Sequence, residues 1–110
     1  MGQVIGFCIL KGRIAPRFDQ PRSLVVITLD DQRRIVKRRE YLTAHIDRKE
    51  ACKMVASLGV SVLICGGLLQ ECEHFFSNTG ILVIDNVIGN LDTVLNCYLR
   101  GELSSGCVLD

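Results

Sequence analysis

Val4–Leu10 reads VIGFCIL, an apolar run without a single polar break. A strand with one wet face alternates apolar and polar residues, so an unbroken run belongs to a strand covered on both faces. This segment is expected inside a sheet, with helices packed over it. Leu24–Leu29 is a second strand, rich in β-branched residues. Arg33–Leu42 is a third, half-polar and crowded with Arg and Lys, as a protected sheet edge would be. Asp47, with Glu50 three positions on, opens a helix in capping-box fashion. Its apolar stripe is Ala51, Met54, Val55 and Leu58, and Gly59 stops it. Val60–Cys65 is a short strand ending in Gly66-Gly67. A second helix follows, striped by Leu68, Leu69, Cys72, Phe75 and Phe76 and closed by Gly80. Ile81–Ile84 is a fifth strand, and Asn90 caps a third helix carrying Leu91, Val94, Leu95 and Tyr98.

The element order is therefore β-β-β-α-β-α-β-α. Right-handed crossovers place the last two strands beside the first, in an α/β fold with one mixed five-stranded sheet. The expected strand order is 3-2-1-4-5, with strands 1, 4 and 5 parallel, as in ribonuclease H-like domains. At 110 residues one domain is expected, over 1–103, with 104–110 as a loose tail. Ligands of open α/β sheets favour the crevice at the carboxyl ends of the strands where the chain diverges. Here that crevice lies between strands 1 and 4.

Strand 1 runs into Lys11 and the loop Gly12–Pro21, GRIAPRFDQP. Such a loop is longer than a hairpin needs, stiffened by two prolines, basic and partly aromatic. Strand 4 runs into Cys65, Gly66 and Gly67. The two features should meet. Lys11, Arg13 and Arg17 would supply charge, Phe18 a hydrophobic wall, and Gly66 and Gly67 backbone donors at the start of the second helix. The expected ligand is a small anion.

Net charge is only +1, so the chain is not expected to bind nucleic acid. The charge is unevenly spread: residues 1–49 hold 11 basic against 5 acidic residues, and residues 50–110 hold 2 against 7. One side of the molecule should be basic and the other acidic. No apolar run reaches the ~18 residues of a membrane span. With no leader signal at the N-terminus, a cytoplasmic, reducing setting with free thiols is expected.

The third strand, as an exposed edge, could carry a homodimer. Strands 1 and 4 carry no acid, which argues against a two-metal nuclease. The histidines, His45 and His74, stand beside no nucleophile, so an enzyme is not expected. The six cysteines, at 8, 52, 65, 72, 97 and 107, show no CxxC spacing and no zinc pattern. Cys8 and Cys72 read as core. Cys65, at the crevice beside a helix start and arginines, is the candidate soft-metal or cluster ligand.

The loop IAPRFDQP, the segment Leu63–Leu68 (LICGGL) and the closing stretch Asn90–Leu103 (NLDTVLNCYLRGEL) carry a resemblance. Over nearly its whole length the chain resembles the dinitrogenase iron–molybdenum cofactor biosynthesis family. The resemblance implies a ribonuclease H-like fold and a molybdenum- or iron-containing sulfide cluster as ligand. Some members carry iron–molybdenum cofactor precursors and others hold molybdenum–copper sulfide clusters. Where nitrogen-fixation members often have His-Phe-Gly in the loop, this chain reads Arg17-Phe18-Asp19. Metal–sulfide clusters are anionic, so Arg17 would hold one by charge and hydrogen bonds. The expected function is a non-enzymatic carrier of an anionic metal–sulfur cluster. The alternative is a small regulatory or interaction domain that binds a phosphate-bearing metabolite or a protein partner.

Overall fold

The apolar run forms β1 (Val4–Leu10), and the fold is arranged around it. The computed structural model describes residues 2–19 and 22–109; Pro21, expected to stiffen the loop, lies outside the described residues. The remaining strands are β2 (Arg13–Ile14), β3 (Ser23–Leu29), β4 (Ile35–Leu42), β5 (Val62–Ile64) and β6 (Leu82–Ile84). The helices are α1 (Arg48–Ser57), α2 (Gln70–Asn78) and α3 (Leu91–Leu99). The sheet is six-stranded and mixed, running β4-β3-β1-β5-β6, with β2 off this path and paired to β1. The expected five strands thus become six. The extra one arises inside the loop after β1, where Lys11 (φ 53) and Gly12 (φ 77) form a two-residue turn. Positive φ at both positions matches the twist of a tight hairpin.

β1 is antiparallel to β3 and parallel to β5, so both its edges are paired. Its side chains alternate between two cores. Ile5, Phe7 and Ile9 join Val25, Ile27, Val62 and Ile64 beneath Leu91, Val94 and Leu95 of α3. On the other face Cys8 joins Leu24, Val26, Leu63 and Cys65 beneath Ala51, Cys52 and Val55 of α1 and Cys72 and Phe76 of α2. Cys52 is therefore a core residue of α1, whereas the sequence stripe passes over it.

The helix caps follow the sequence. Asp47 accepts a hydrogen bond from the Glu50 N–H at 2.8 Å, and Asn90 accepts one from the Thr93 N–H at 2.9 Å. α2 differs: it begins at Gln70, with Leu69 as a cap lacking a side-chain bond. Leu68 and Leu69 precede the helix, so Gly66-Gly67 does not lie at its N-terminus. Arg33 also departs from the strand expected for it. Its φ of 62 ends the turn, and its guanidinium lies 5.5 Å from the centre of the Tyr98 ring. It also donates to the Tyr98 carbonyl at 3.1 Å, where a cation complements the end of α3.

Residues 104–109 make hydrogen bonds to the 85–89 loop. The Ile88 N–H donates to the Cys107 carbonyl at 3.0 Å, the Leu109 N–H donates back to Ile88 at 2.6 Å, and Leu109 packs on the α3-side core. Short polar stretches give no periodic signal, so this pairing with the 85–89 loop is not legible in sequence.

The Asp47 cap satisfies an N–H that the helix itself leaves unpaired. Asp47→Ala should therefore lower stability by about 1 kcal/mol, read as a shift of the urea midpoint at unchanged slope.

Candidate functional site

The loop after β1 and the glycine pair after β5 do meet. Arg17 and Gly67 form a parallel bridge, in which the Gly67 N–H donates to the Pro16 carbonyl at 2.7 Å and the Phe18 N–H donates to the Gly67 carbonyl at 2.8 Å. Ala15 N–H donates to the Cys8 carbonyl at 2.8 Å and Arg22 N–H to the Ile9 carbonyl at 3.0 Å. The loop thus folds over the carboxyl ends of β1 and β5 and caps them.

This closeness changes what the residues can do. A Cβ on Gly66 would collide with the backbone oxygens of Ala15 and Pro16. Gly66 is required for the close approach of two backbones, and Gly67 has spent its N–H on Pro16. The pair is a packing device, and the expected donor role of Gly67 is not available. The α2 N-terminus does not supply a positive pole at the pair either, because it starts later and carries Glu71 and Glu73 in its first turn.

The expected side chains separate in the same way. Phe18 is 2% exposed and meets Phe76 edge to face at 5.5 Å, so it is core and not the wall of an open site. Arg17 makes a bidentate pair with Asp19, at 3.0 and 2.8 Å, which offsets the charge it was to offer a ligand. Arg13 lies on β2, whose backbone bridges Asn90 at the start of α3, away from the glycine pair. Lys11 is exposed at the hairpin tip. Cys65 is fully buried. Burial pushes its thiol up to about 12, with the Asp85 carboxylate and Cys72 adding to the effect. The expected thiolate is therefore disfavoured at this position. The charge acting on this sulfur is the Asp85 carboxylate and not, as expected, an arginine.

Two concavities flank the capped strand ends. One is a polar groove of about 500 Å³ lined by Lys11, Asp19, Arg22, Thr43 and Ala44, at the end of β1. The other is a cleft of about 270 Å³ between α1 and α2, lined by Arg48, Lys49, Cys52, Lys53, Glu71, Cys72 and Phe75. Cys52 and Cys72 both line this cleft, and burial together with the neighbouring Cys72 raises the Cys52 pKa while Arg48 lowers it. Arg48 reaches across to Glu71 at 2.9 Å. Lys49 and Lys53 stay exposed on the rim.

Sequence reasoning missed this cleft, although Arg48-Lys49-x-x-Cys52-Lys53 puts one thiol and three cations on one helix. The signal was available in the i, i+3, i+4 spacing, but the partner thiol on α2 is set only by packing. Among the described residues no group of three or more His, Cys, Asp or Glu side chains is placed to hold a metal ion. The cleft can therefore act on a ligand through cationic charge, thiol contact and an apolar floor, not through a full ligand cage.

The Gly66→Ala change should cost about 1–3 kcal/mol, because backbone on both sides must shift. Gly67→Ala, whose Cβ would stand 3.4 Å from the Pro16 oxygen, should stay within about 0.5 kcal/mol by the same urea melt. The Cys65 thiol loses its proton near 9.0 when unfolded and holds it to about 12 when folded. Unfolding thus releases a proton between those values, and stability should fall as pH rises through that window. Urea melts of wild type and Cys65→Ala between pH 8.0 and about 10 test this, and the variant should show the shallower decline.

No family model matches the chain, and none of the curated proteins matches it. Solved structures do. The crystal structure of PH0822 superposes with a TM-score of 0.85 at 13% identity, over 94% of each chain. A protein of Methanocaldococcus jannaschii, MJ0327, provisionally described as a dinitrogenase, gives 0.77 at 17% identity over 94% of each chain. The apo form of the orange protein from Desulfovibrio gigas gives 0.74 at 20% identity, over 96% of this chain and 93% of that one. The chain shares the fold of these proteins from end to end.

Proposed function

We propose that this protein is a non-enzymatic carrier of an anionic metal–sulfur cluster, held in the cleft between α1 and α2. The observation that carries the reading is that Cys52 and Cys72 both line a cleft rimmed by Arg48, Lys49 and Lys53. Sulfur next to cations suits a ligand whose surface is sulfide and whose net charge is negative. The ligand class is supported by the sequence resemblance and by the fold shared with the orange protein and the M. jannaschii protein. The cluster is cargo: the lysines hold it by charge, the thiols touch its metals or sulfides, and Phe75 shields one side from water. The same reading takes the sheet as ribonuclease H-like, supported by its β4-β3-β1-β5-β6 path. Arg17 and Phe18, with Cys65, Gly66 and Gly67, then serve mainly to build the strand cap, and Lys11 and Arg13 lie outside the cleft.

A second reading is favoured by the other groove. Lys11 and Arg22 line it with Asp19, and the two cations suit a phosphate-bearing metabolite. The two readings separate by experiment. Purified protein is incubated anaerobically with thiomolybdate and copper, or with an iron–sulfur cluster precursor, and its visible absorbance is recorded after desalting. Wild type and Arg17→Ala should retain a chromophore, and Lys49→Glu with Lys53→Glu should lose most of it. Retention by the charge-reversed variant, or no retention by any protein, would rule out the cleft. Under the second reading a phosphorylated ligand at a hundredfold excess over its dissociation constant raises stability by ~2.7 kcal/mol, and Lys11→Ala abolishes the rise.

A further inference from the structure

β4 is an edge of the sheet, and every residue of it but Tyr41 is exposed. Val36 and Leu42 are the most open of its apolar side chains, at 61% and 72%. Charges on an edge usually prevent pairing with another chain. The order of charges here does the opposite, because Arg38 and Glu40 alternate inside an apolar frame of Val36 and Leu42.

The ladder to β3 decides which groups face outward. Thr43 N–H donates to the Arg22 carbonyl at 3.1 Å, one step beyond the pair Ser23 and Leu42. Antiparallel ladders alternate between hydrogen-bonded and open pairs. Thr43, Tyr41, Arg39 and Lys37 therefore turn their backbone groups inward to β3. Arg38, Glu40 and Leu42 turn theirs out, where no strand of this chain receives them. Arg38 and Glu40 also have no side-chain ion pair or hydrogen bond among the described residues.

We propose that β4 pairs antiparallel with β4 of a second copy, about a two-fold axis at Arg39, with Arg38 of each copy opposite Glu40 of the other. An isologous contact requires a strand complementary to its own reverse. The outward backbone groups permit only registers that place these alternate residues opposite one another. Sliding the pairing one permitted step sets Glu40 against Glu40; sliding it the other way sets Arg38 against Arg38. The register between them makes two Arg–Glu pairs and places Val36 against Leu42 at both ends. Its like-charge contacts lie on the other face, where Arg39 meets its own copy on the axis and Lys37 of each copy stands diagonal to it. The β3–β4 irregularity lies between Thr28 and Leu29, opposite Ile35–Lys37, and leaves the central residues regular.

Sedimentation velocity and light scattering test this on the full chain at concentrations up to about 1 mM. Wild type should show a concentration-dependent dimer. Glu40→Arg should raise the dissociation constant about tenfold or more, since two attractive pairs become repulsive. The exchange Arg38→Glu with Glu40→Arg should restore it, because the reversed pair is equally self-complementary. Arg39→Thr should tighten the dimer. These positions are exposed, so far-ultraviolet circular dichroism should stay unchanged in all variants. A wild type that remains monomeric at the highest concentration overturns the proposal. So does a dimer indifferent to Glu40→Arg, or one that the exchange fails to restore.

Discussion

Everything in this molecule depends on β1 being buried from four directions. β3 and β5 close its two edges and two helical layers close its two faces. A buried strand must place all its N–H and C=O groups in ladders, and β1 does so by being antiparallel on one side and parallel on the other. The parallel side demands helical crossovers, and the crossovers supply the layers that cover its apolar face. Sheet order, helix placement and the position of the crevice follow from that one requirement.

The end of β1 poses a different problem, and the loop after it solves that problem structurally. Two parallel strands stop side by side, and their last backbone groups need partners. Ala15, Pro16 and Phe18 come back over them, Gly66 gives way by having no side chain, and Phe18 drops into the α1–α2 core against Phe76. Residues that look like ligand donors in a linear reading are thereby drawn into the cap. Arg17 turns to Asp19, its neighbour two places on, because a bidentate partner within reach is better than open solvent.

What remains accessible sits to either side of the cap. The cysteines show how far position decides chemistry. Cys8, Cys52, Cys65 and Cys72 all belong to one core cluster. Cys65 is sealed under the loop, with its thiol held protonated. All four are buried, and Cys52 and Cys72 differ in that they also line the cleft that α1 and α2 leave beside Arg48, Lys49, Lys53 and Glu71.

Apart from the two-residue β2, the elements in their order, the central place of β1, the Asp47 and Asn90 caps and the edge character of β4 were legible in the sequence. All of them rest on local signals: unbroken apolar runs, helical stripes, capping residues and clustered charge. The sequence also brought the loop and the glycine pair to one point, because strand order follows from crossover handedness. It could not say that their meeting would be backbone against backbone, that α2 would start beyond Leu69, or that the tail would pair with Ile88. Nor could it join Cys52 to Cys72. Those outcomes are contacts between segments far apart in the chain, chosen by how layers settle after the strands are placed. Local chemistry thus determined which elements form and where they lie; only tertiary packing decided which of their side chains remained free to meet a ligand.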